Sequence, residues 1–501
     1  MSKYDTVLAN GRVIDPETFM DATMHVGIRG DRIVAVSETP LEGKEVIDAS
    51  DLIVAPGFID MHAHGQDIPS NRMQAFDGVT TALDLESGVL PVGEFYGNCA
   101  KEGRPLNYGI TAAWHGARIL VKNPEAAVDG KPVPTLSWIM SAFKYKEWMH
   151  DVADEKQVNE ILSHVEAGLK EGALGIGIGY GYAPGAGSKE MVAVCQLAAE
   201  YGLPTYTHVQ NMGVLDPQSA IESYLKLLGL AAGTGAHMHI CHLNSTSSRD
   251  VDKAVPLIRK AQAAGLPVSM GAYTYGTAES GIGAEEWNPE DVQERIGVQW
   301  SDFTRLRDMH SFASEEEFQE ARETEPQNWV MVRMLHEEED TRDRALLDLS
   351  VLFPGGVIET DGVGWLQADG SVYTGKEWPL PNVNSHPRSA GCYSRFLRKW
   401  VRERGVISWM DAIRKASLNP AQILEKSTPM MKKKGRIQVG ADADVIVFDP
   451  ETVAERATFK EPNQTSAGMK HVLVNGSFLI RDEQLDTAAF PGRAVRRPVS
   501  A

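Results

Sequence analysis

Between residues 56 and 425 the chain repeats one local pattern: an apolar strand, a loop of small residues, then an amphipathic helix. It recurs in GLPTYTHVQ, AHMHICHLNS, GLPVSMGAY and GGVIETDG, with helical runs between. Alternating strands and crossover helices build a parallel sheet, and a span of about 370 residues suits an eight-fold closure with insertions. The expected fold is therefore α/β, a (β/α)8 TIM barrel over residues 56–425. Residues 4–55 instead alternate apolar and polar positions, broken at Asn10-Gly11 and Gly30-Asp31, as short antiparallel strands with tight turns do. The same texture returns over residues 434–482, in GRIQVGADADVIVFD and MKHVLVNGSFLIRD. Residues 1–55 and 426–501 are thus expected to form one small β-sandwich domain from both termini. Residues 283–347 break the barrel rhythm with the charged runs EEWNPEDVQERIG and ASEEEFQEARETE. They read as a mostly helical insertion near the active-site mouth, in the position of a lid.

Composition narrows the partners. With 43% hydrophobic and 23% charged residues in 501, the chain has the means to bury a large core. Its net charge of -19 repels nucleic-acid phosphates and anionic lipid, so a small-molecule substrate is expected, with no nucleic-acid or membrane partner. Homo-oligomers remain compatible with it. Cys99, Cys195, Cys241 and Cys392 form no C-x-x-C pair, so neither a disulfide framework nor a thiolate zinc site is indicated, and a reducing compartment fits best. The opening MSKYDTVLANGRVID reads as a strand and not a signal peptide, and no window has the apolar length of a membrane span. A cytoplasmic protein is expected.

The chemistry concentrates at strand ends. In Pro56-Gly57-Phe58-Ile59-Asp60-Met61-His62-Ala63-His64, a turn opens an apolar strand that ends in His-x-His, and period two puts both imidazoles on one face. At the mouth of a barrel, His62 and His64 are placed to chelate a divalent ion. His208 ends PTYTHVQN, and His237, His239 and His242 lie in AHMHICHLNS. Position nearest the mouth favours His242 as a ligand, leaving His237 and His239 as packed or satisfied polar groups. Glu86 follows the apolar run 79–85, where a carboxylate can bind or bridge metal or simply be a solvated loop acid. Asp361 ends the run 356–360 and precedes Gly362, so it is a candidate general base, although Asp-Gly is also an ordinary turn pair. Four histidines and two carboxylates make a nitrogen and oxygen set that zinc or a similar divalent ion accepts. The glycines of EGALGIGIGYGYAPGAG are too many and too irregular for a dinucleotide fingerprint and read as a strand with a long loop.

These stretches, with GVTT at 78–81, His115-Gly116-Ala117-Arg118, YTHVQN, CHLNS, His386-Pro387-Arg388-Ser389 and the closing VLVNG, resemble the amidohydrolase superfamily. Within it they are most similar to the D-aminoacylase or N-acyl-D-amino-acid deacylase group, over nearly the whole chain. The resemblance implies a barrel with a β-sandwich and metal-dependent hydrolysis of a C–N bond, most simply deacylation of an N-acyl-D-amino acid or related N-acyl compound. It implies one metal position at His62 and His64, a second at His208 and His242, and Asp361 as the acid–base. It makes Arg388 the holder of a substrate carboxylate and Tyr182 a contact to the scissile carbonyl. The cofactor implied is Zn2+, one or two ions, other divalent metals being acceptable.

The chain also departs from the group. Members carry a cysteine ligand after GVTT, where this chain has Ser87, and Glu86 is expected to replace it. Asn244 stands where members have a lysine and is expected in an altered substrate pocket. Their D-x-Y-P-Y run appears as Gly271-Ala272-Tyr273-Thr274-Tyr275. A cyclic amide hydrolase of dihydroorotase or hydantoinase type is the alternative, disfavoured because the GALGIGIGYGY strand offers no lysine for carboxylation. A deaminase is a further alternative. A catalytically silent scaffold would have no chemical need for four histidines and Asp361.

Overall fold

A computed structural model describes residues 3–499. Eight strands, β1 (Phe58–Asp60), β2 (Val79–Val89), β3 (Asn107–Ala113), β4 (Ile176–Gly179), β5 (Pro204–His208), β6 (His237–Ile240), β7 (Val268–Ala272) and β8 (Val357–Ile358), pair in parallel in chain order. Their residues are buried almost throughout, as a parallel sheet covered on its faces by crossover helices requires. A parallel bridge between Ala63 and Gly362, just past β1 and β8, joins the two ends of the sheet. Asp60 reinforces that seam, accepting hydrogen bonds from the Thr360 amide at 3.1 Å and hydroxyl at 2.5 Å. The α/β barrel expected from the repeat is the fold observed.

Strands from both termini form a separate nine-stranded sheet. Ile53–Pro56 pairs antiparallel with Val445–Phe448, which ties the two ends of the chain together. The long strand Tyr4–Asp15 pairs Gly43–Asp48 with its first half and Ile53–Pro56 with its second. Ile33 exchanges backbone hydrogen bonds with Gly440 and Ala441, so the sheet curls round a core that includes Leu8, Val13, Val26, Val445 and Val447. Gly57 marks the change from this sheet to the barrel, where a Cβ would lie 2.2 Å from Thr80 Oγ1. The tail does not stay with the terminal sheet: Tyr108 of β3 exchanges backbone bonds with Arg493 and Val495.

The insertion holds an antiparallel sheet in addition to helices. Its framework is an antiparallel sheet in the order Thr277–Gly281, Trp329–Arg333, Phe303–Arg305, His310–Ser311. Helices Val292–Ile296 and Glu315–Thr324 are appended to it, and Phe303, Phe312 and Phe318 are buried against each other. Charge density at its surface conceals short strands whose inward residues are apolar. The later part of the 283–347 range also belongs elsewhere, since Thr341–Val351 is the crossover helix that leads into β8. All four cysteines are free and buried. Among the described residues, no helix is long and apolar enough to cross a membrane.

Candidate metal centre and active site

Strand parity assembles the cluster. His62 and His64 leave the end of β1 on one face, and His62 Nε2 lies 3.1 Å from His64 Nε2 and 2.8 Å from Glu86 Oε2. On β2, Asp84 and Glu86 are two residues apart and both point inward. Asp84 Oδ1 meets His64 Nδ1 at 3.2 Å and so fixes that ring. His208, ending β5, brings Nδ1 to 3.0 Å from Glu86 Oε1, and His242, just past β6, brings Nε2 to the same oxygen at 3.0 Å. Glu86 thus presents one oxygen to each histidine pair. The ligand atoms of His62, His64, Glu86 and Asp361 lie within 4.8 Å of one another, as do those of Glu86, His208 and His242. Glycines on β4 make room for this crowding: a Cβ at Gly177 would lie 2.4 Å from the Glu86 carbonyl oxygen. Ser87, the residue in the cysteine position, turns away, its hydroxyl 3.4 Å from His115 Nε2.

Asp361 Oδ1 faces the Nε2 atoms of His62 and His64 at 3.3 and 3.4 Å, while Oδ2 lies 3.0 Å from Arg388 Nη2. Burial works to raise its pKa, but the charges of Arg388 and His62 outweigh it and hold the carboxyl below its ordinary range. Asp361 (φ 52°) and His242 (φ 34°) both occupy left-handed backbone, a strain of about 1–3 kcal/mol each that the surroundings must impose. Those surroundings include two acids outside the expected set. Asp60 accepts from the His62 amide at 3.1 Å, and Glu359 from the His242 amide at 2.7 Å. A Cβ at Gly271 would lie 2.2 Å from the Glu359 carboxyl, so β7 needs glycine there. His237 and His239 both bond Ser269 Oγ at 2.8 Å and lie outside the two groups of converging ligand atoms.

Beside the cluster lies a narrow cavity lined by His64, Glu86, Asp361, Tyr182 and the apolar residues Leu136, Ile139, Met140, Phe143, Trp148 and Trp329. Tyr182 packs against His208 with ring centres 4.6 Å apart and planes tilted by 36°, and burial keeps its hydroxyl protonated far above its ordinary pKa. Arg388 is fully buried at the start of helix Arg388–Phe396 and packs on Tyr273 with its guanidinium 4.4 Å from the ring centre. Asn244 does not face the cavity as expected. Its amide donates to the Tyr275 carbonyl at 3.0 Å and accepts from the Tyr273 amide, so it pins the turn after β7. Two acids of the insertion, Glu279 and Glu286, reach the site without having been singled out in the sequence. Glu286 Oε2 lies 2.9 Å from His208 Nε2. Inside a run as acidic as EEWNPED, nothing local marks one glutamate as buried.

The donor set fits a metal. Imidazole nitrogens 3.1 Å apart that converge on the same carboxylate oxygen place lone pairs against lone pairs. Donors roughly 3.3 Å apart are also the edges of a tetrahedron with bonds of about 2.0–2.1 Å. The field favours bound positive charge: burial lowers the His208 pKa, yet Glu286 and Glu86 push it up to about 10. A divalent ion supplies that charge in place of protons.

A parallel barrel with nitrogen and oxygen ligands gathered at its strand ends defines a metal-dependent hydrolase. The chain belongs to the amidohydrolase family, whose model matches residues 53–479, and is a hydrolase of C–N bonds other than peptide bonds. An N-acyl-D-glutamate deacylase of Alcaligenes xylosoxydans xylosoxydans is 27% identical over 99% of this chain and 98% of its own length. A solved D-aminoacylase, described by its binuclear metal centre, is 21% identical with a TM-score of 0.77, covering 99% of this chain and 100% of that one. An N-acyl-D-glutamate deacylase from Bordetella bronchiseptica, solved with zinc and a phosphonate inhibitor, is 22% identical with a TM-score of 0.77 over 99% of this chain and 100% of its own.

Proposed function

We propose that the chain is a zinc-dependent deacylase of an N-acyl-D-amino acid or related N-acyl compound, with one or two ions held by His62, His64, Glu86, His208 and His242. The observation that carries this reading is the Glu86 carboxylate, with one oxygen on each histidine pair. A bound divalent ion supplies Lewis acidity, polarising a carbonyl and acidifying water toward a pKa of about 7. Asp361, kept ionised beside Arg388, takes the proton of the attacking water and returns it to the leaving nitrogen. Tyr182, held protonated, donates to the scissile carbonyl oxygen. The apolar wall of Leu136, Ile139, Met140, Phe143, Trp148 and Trp329 receives an apolar acyl group or side chain, and Arg388 marks the polar end of the substrate. Four free cysteines support a reducing, cytoplasmic setting. A cyclic amide hydrolase is disfavoured because Glu86 already occupies the place between the histidine pairs and β4 carries no lysine.

Elemental analysis of the native protein and of Glu86→Ala tests the centre. Zinc near one or two per chain, reduced by the substitution, is expected, together with amine release from N-acyl-D-amino acids or their derivatives. A chain that binds no metal, even with zinc added, would leave the reading without support.

A further inference from the structure

The narrow cavity beside the cluster has a free volume of only about 30 Å³, room for a water or two. An N-acyl amino acid is far larger than that. A second cavity of about 430 Å³, within the usual range of small-molecule sites, shares Leu136, Met140 and Trp329 with the first as a common wall. Asp84, whose carboxylate fixes the His64 ring, lines this second space too, so the space begins directly behind the cluster. Met140 is unbranched, with three rotatable side-chain bonds, and is the member of the wall best able to turn aside and join the two spaces.

The lining defines the chemistry of an occupant. Val89, Phe95, Ile110, Val363 and Leu366 give the second cavity an apolar body. Its three charged side chains are engaged within the protein. Asp67 accepts from the Ser70 amide at 2.7 Å, Asp84 meets His64, and Arg104 Nη1 donates to Glu102 Oε2 at 2.6 Å. With its charges paired, the cavity suits hydrocarbon, which gains by leaving water. Position defines which part of a substrate this is. Asp361, the group that returns a proton to the leaving nitrogen, lies 3.0 Å from Arg388, and Arg388 packs on Tyr273 just past β7. The amine half of the substrate therefore lies on the β7 and β8 side. The second cavity lies against Val89 of β2 and Ile110 of β3, and β3 stands opposite β7 in the ring of eight strands. The half left to fill it is the acyl group.

We propose that this second cavity is the acyl subsite, and that the chain hydrolyses N-acyl amino acids whose acyl group is an extended hydrocarbon chain in preference to their N-acetyl counterparts. The inference rests on the reading above that an N-acyl compound is hydrolysed at the histidine and Glu86 cluster with its polar end at Arg388.

The test is a chain-length series on the metal-loaded protein: N-acetyl-, N-butanoyl- and N-octanoyl-D-alanine, with N-acetyl-D-2-aminodecanoic acid as the compound lengthened in its side chain instead. The octanoyl compound is expected to exceed the acetyl compound in kcat/KM by about tenfold or more. Val372→Trp, which fills the cavity from the loop after β8, should remove most of that ratio. Should this variant fail to fold, Asn98→Trp fills the same space from the exposed face of helix Val92–Glu102. A flat or falling series, a gain that survives the filled cavity, or a gain with side-chain length in place of acyl length overturns the proposal. If no compound is turned over, calorimetry of acetyl and octanoyl binding decides. Tighter octanoyl binding, lost in the filled variant, upholds the subsite and removes the deacylase reading; equal or absent binding removes the subsite.

Discussion

On the barrel rim, three of the four histidines of the cluster are set by a strand end and then held by a second buried group of the barrel: Asp60 under His62, Asp84 on His64, Glu359 under His242. On the inserted sheet, Glu279 and Glu286 reach the same space from a separate antiparallel framework, and Glu279 has no hydrogen-bond partner of its own among the described residues. The difference teaches a division of labour. Atoms that must converge on an ion come from the rigid parallel sheet, whose register fixes them relative to one another. Atoms that face a substrate come from an element that can change without disturbing that register. Glu286 crosses the division, because it belongs to the insertion yet touches His208.

The largest effect should fall on the barrel side. Asp361→Asn is expected to cut turnover about 10²–10⁴-fold while metal content is unchanged, measured by steady-state kinetics and elemental analysis. Retained turnover would break the comparison at its chemical half. Next, Glu286→Gln should weaken metal binding by about 10–100-fold in competition with a chromophoric chelator, as loss of a ligand's outer partner does. Unchanged affinity would confine the insertion to recognition and sharpen the division.

A smaller effect is expected at Asn244, now a pin for the turn at Tyr273 and Tyr275. Asn244→Ala should destabilise the fold by about 1–3 kcal/mol in denaturant unfolding, by leaving buried backbone groups unpaired. A raised KM with stability intact would return Asn244 to the substrate pocket.

A separate effect, on the pH dependence of stability, concerns Lys415, whose Nζ donates to the Phe353 and Gly356 carbonyls beside β8. Burial lowers its pKa from 10.5 to about 7. Between those values the unfolded chain holds the proton that the native chain has released, so this group makes stability rise with pH, by up to about 1.4 kcal/mol per unit. Below about 7 both states are protonated and the full cost of the buried charge remains. Lys415→Met should flatten the rise between pH 7 and 10 in thermal melts; an unaltered slope would show that burial does not lower the Lys415 pKa.

Much of the fold was legible because periodicity is local: the strand and helix repeat named the barrel, and alternation at both ends named the terminal strands. Strand-end position likewise made His62, His64, Glu86, His208, His242 and Asp361 candidates, and the family resemblance, not parity, gave them their expected roles. The sheet within the insertion was not legible because charge on its exposed faces outweighed the short apolar strands beneath. Glu279, Glu286, Asp60 and Glu359 carried no local mark, because a glutamate or aspartate in sequence looks the same whether it is solvated or buried against an arginine or a histidine.

The sequence by itself determined the architecture, through spacing that any strand obeys, and offered candidate metal ligands at strand ends whose roles came from the family resemblance. Only the tertiary structure decided which acids lose their water. Glu86 lies between two histidine pairs, Asp361 is clamped by Arg388 and Glu279 is left unpaired at the cavity wall because closing the barrel and docking the inserted sheet bring together residues as many as 156 positions apart. Burial and charge pairing are properties of that assembly, not of any one segment.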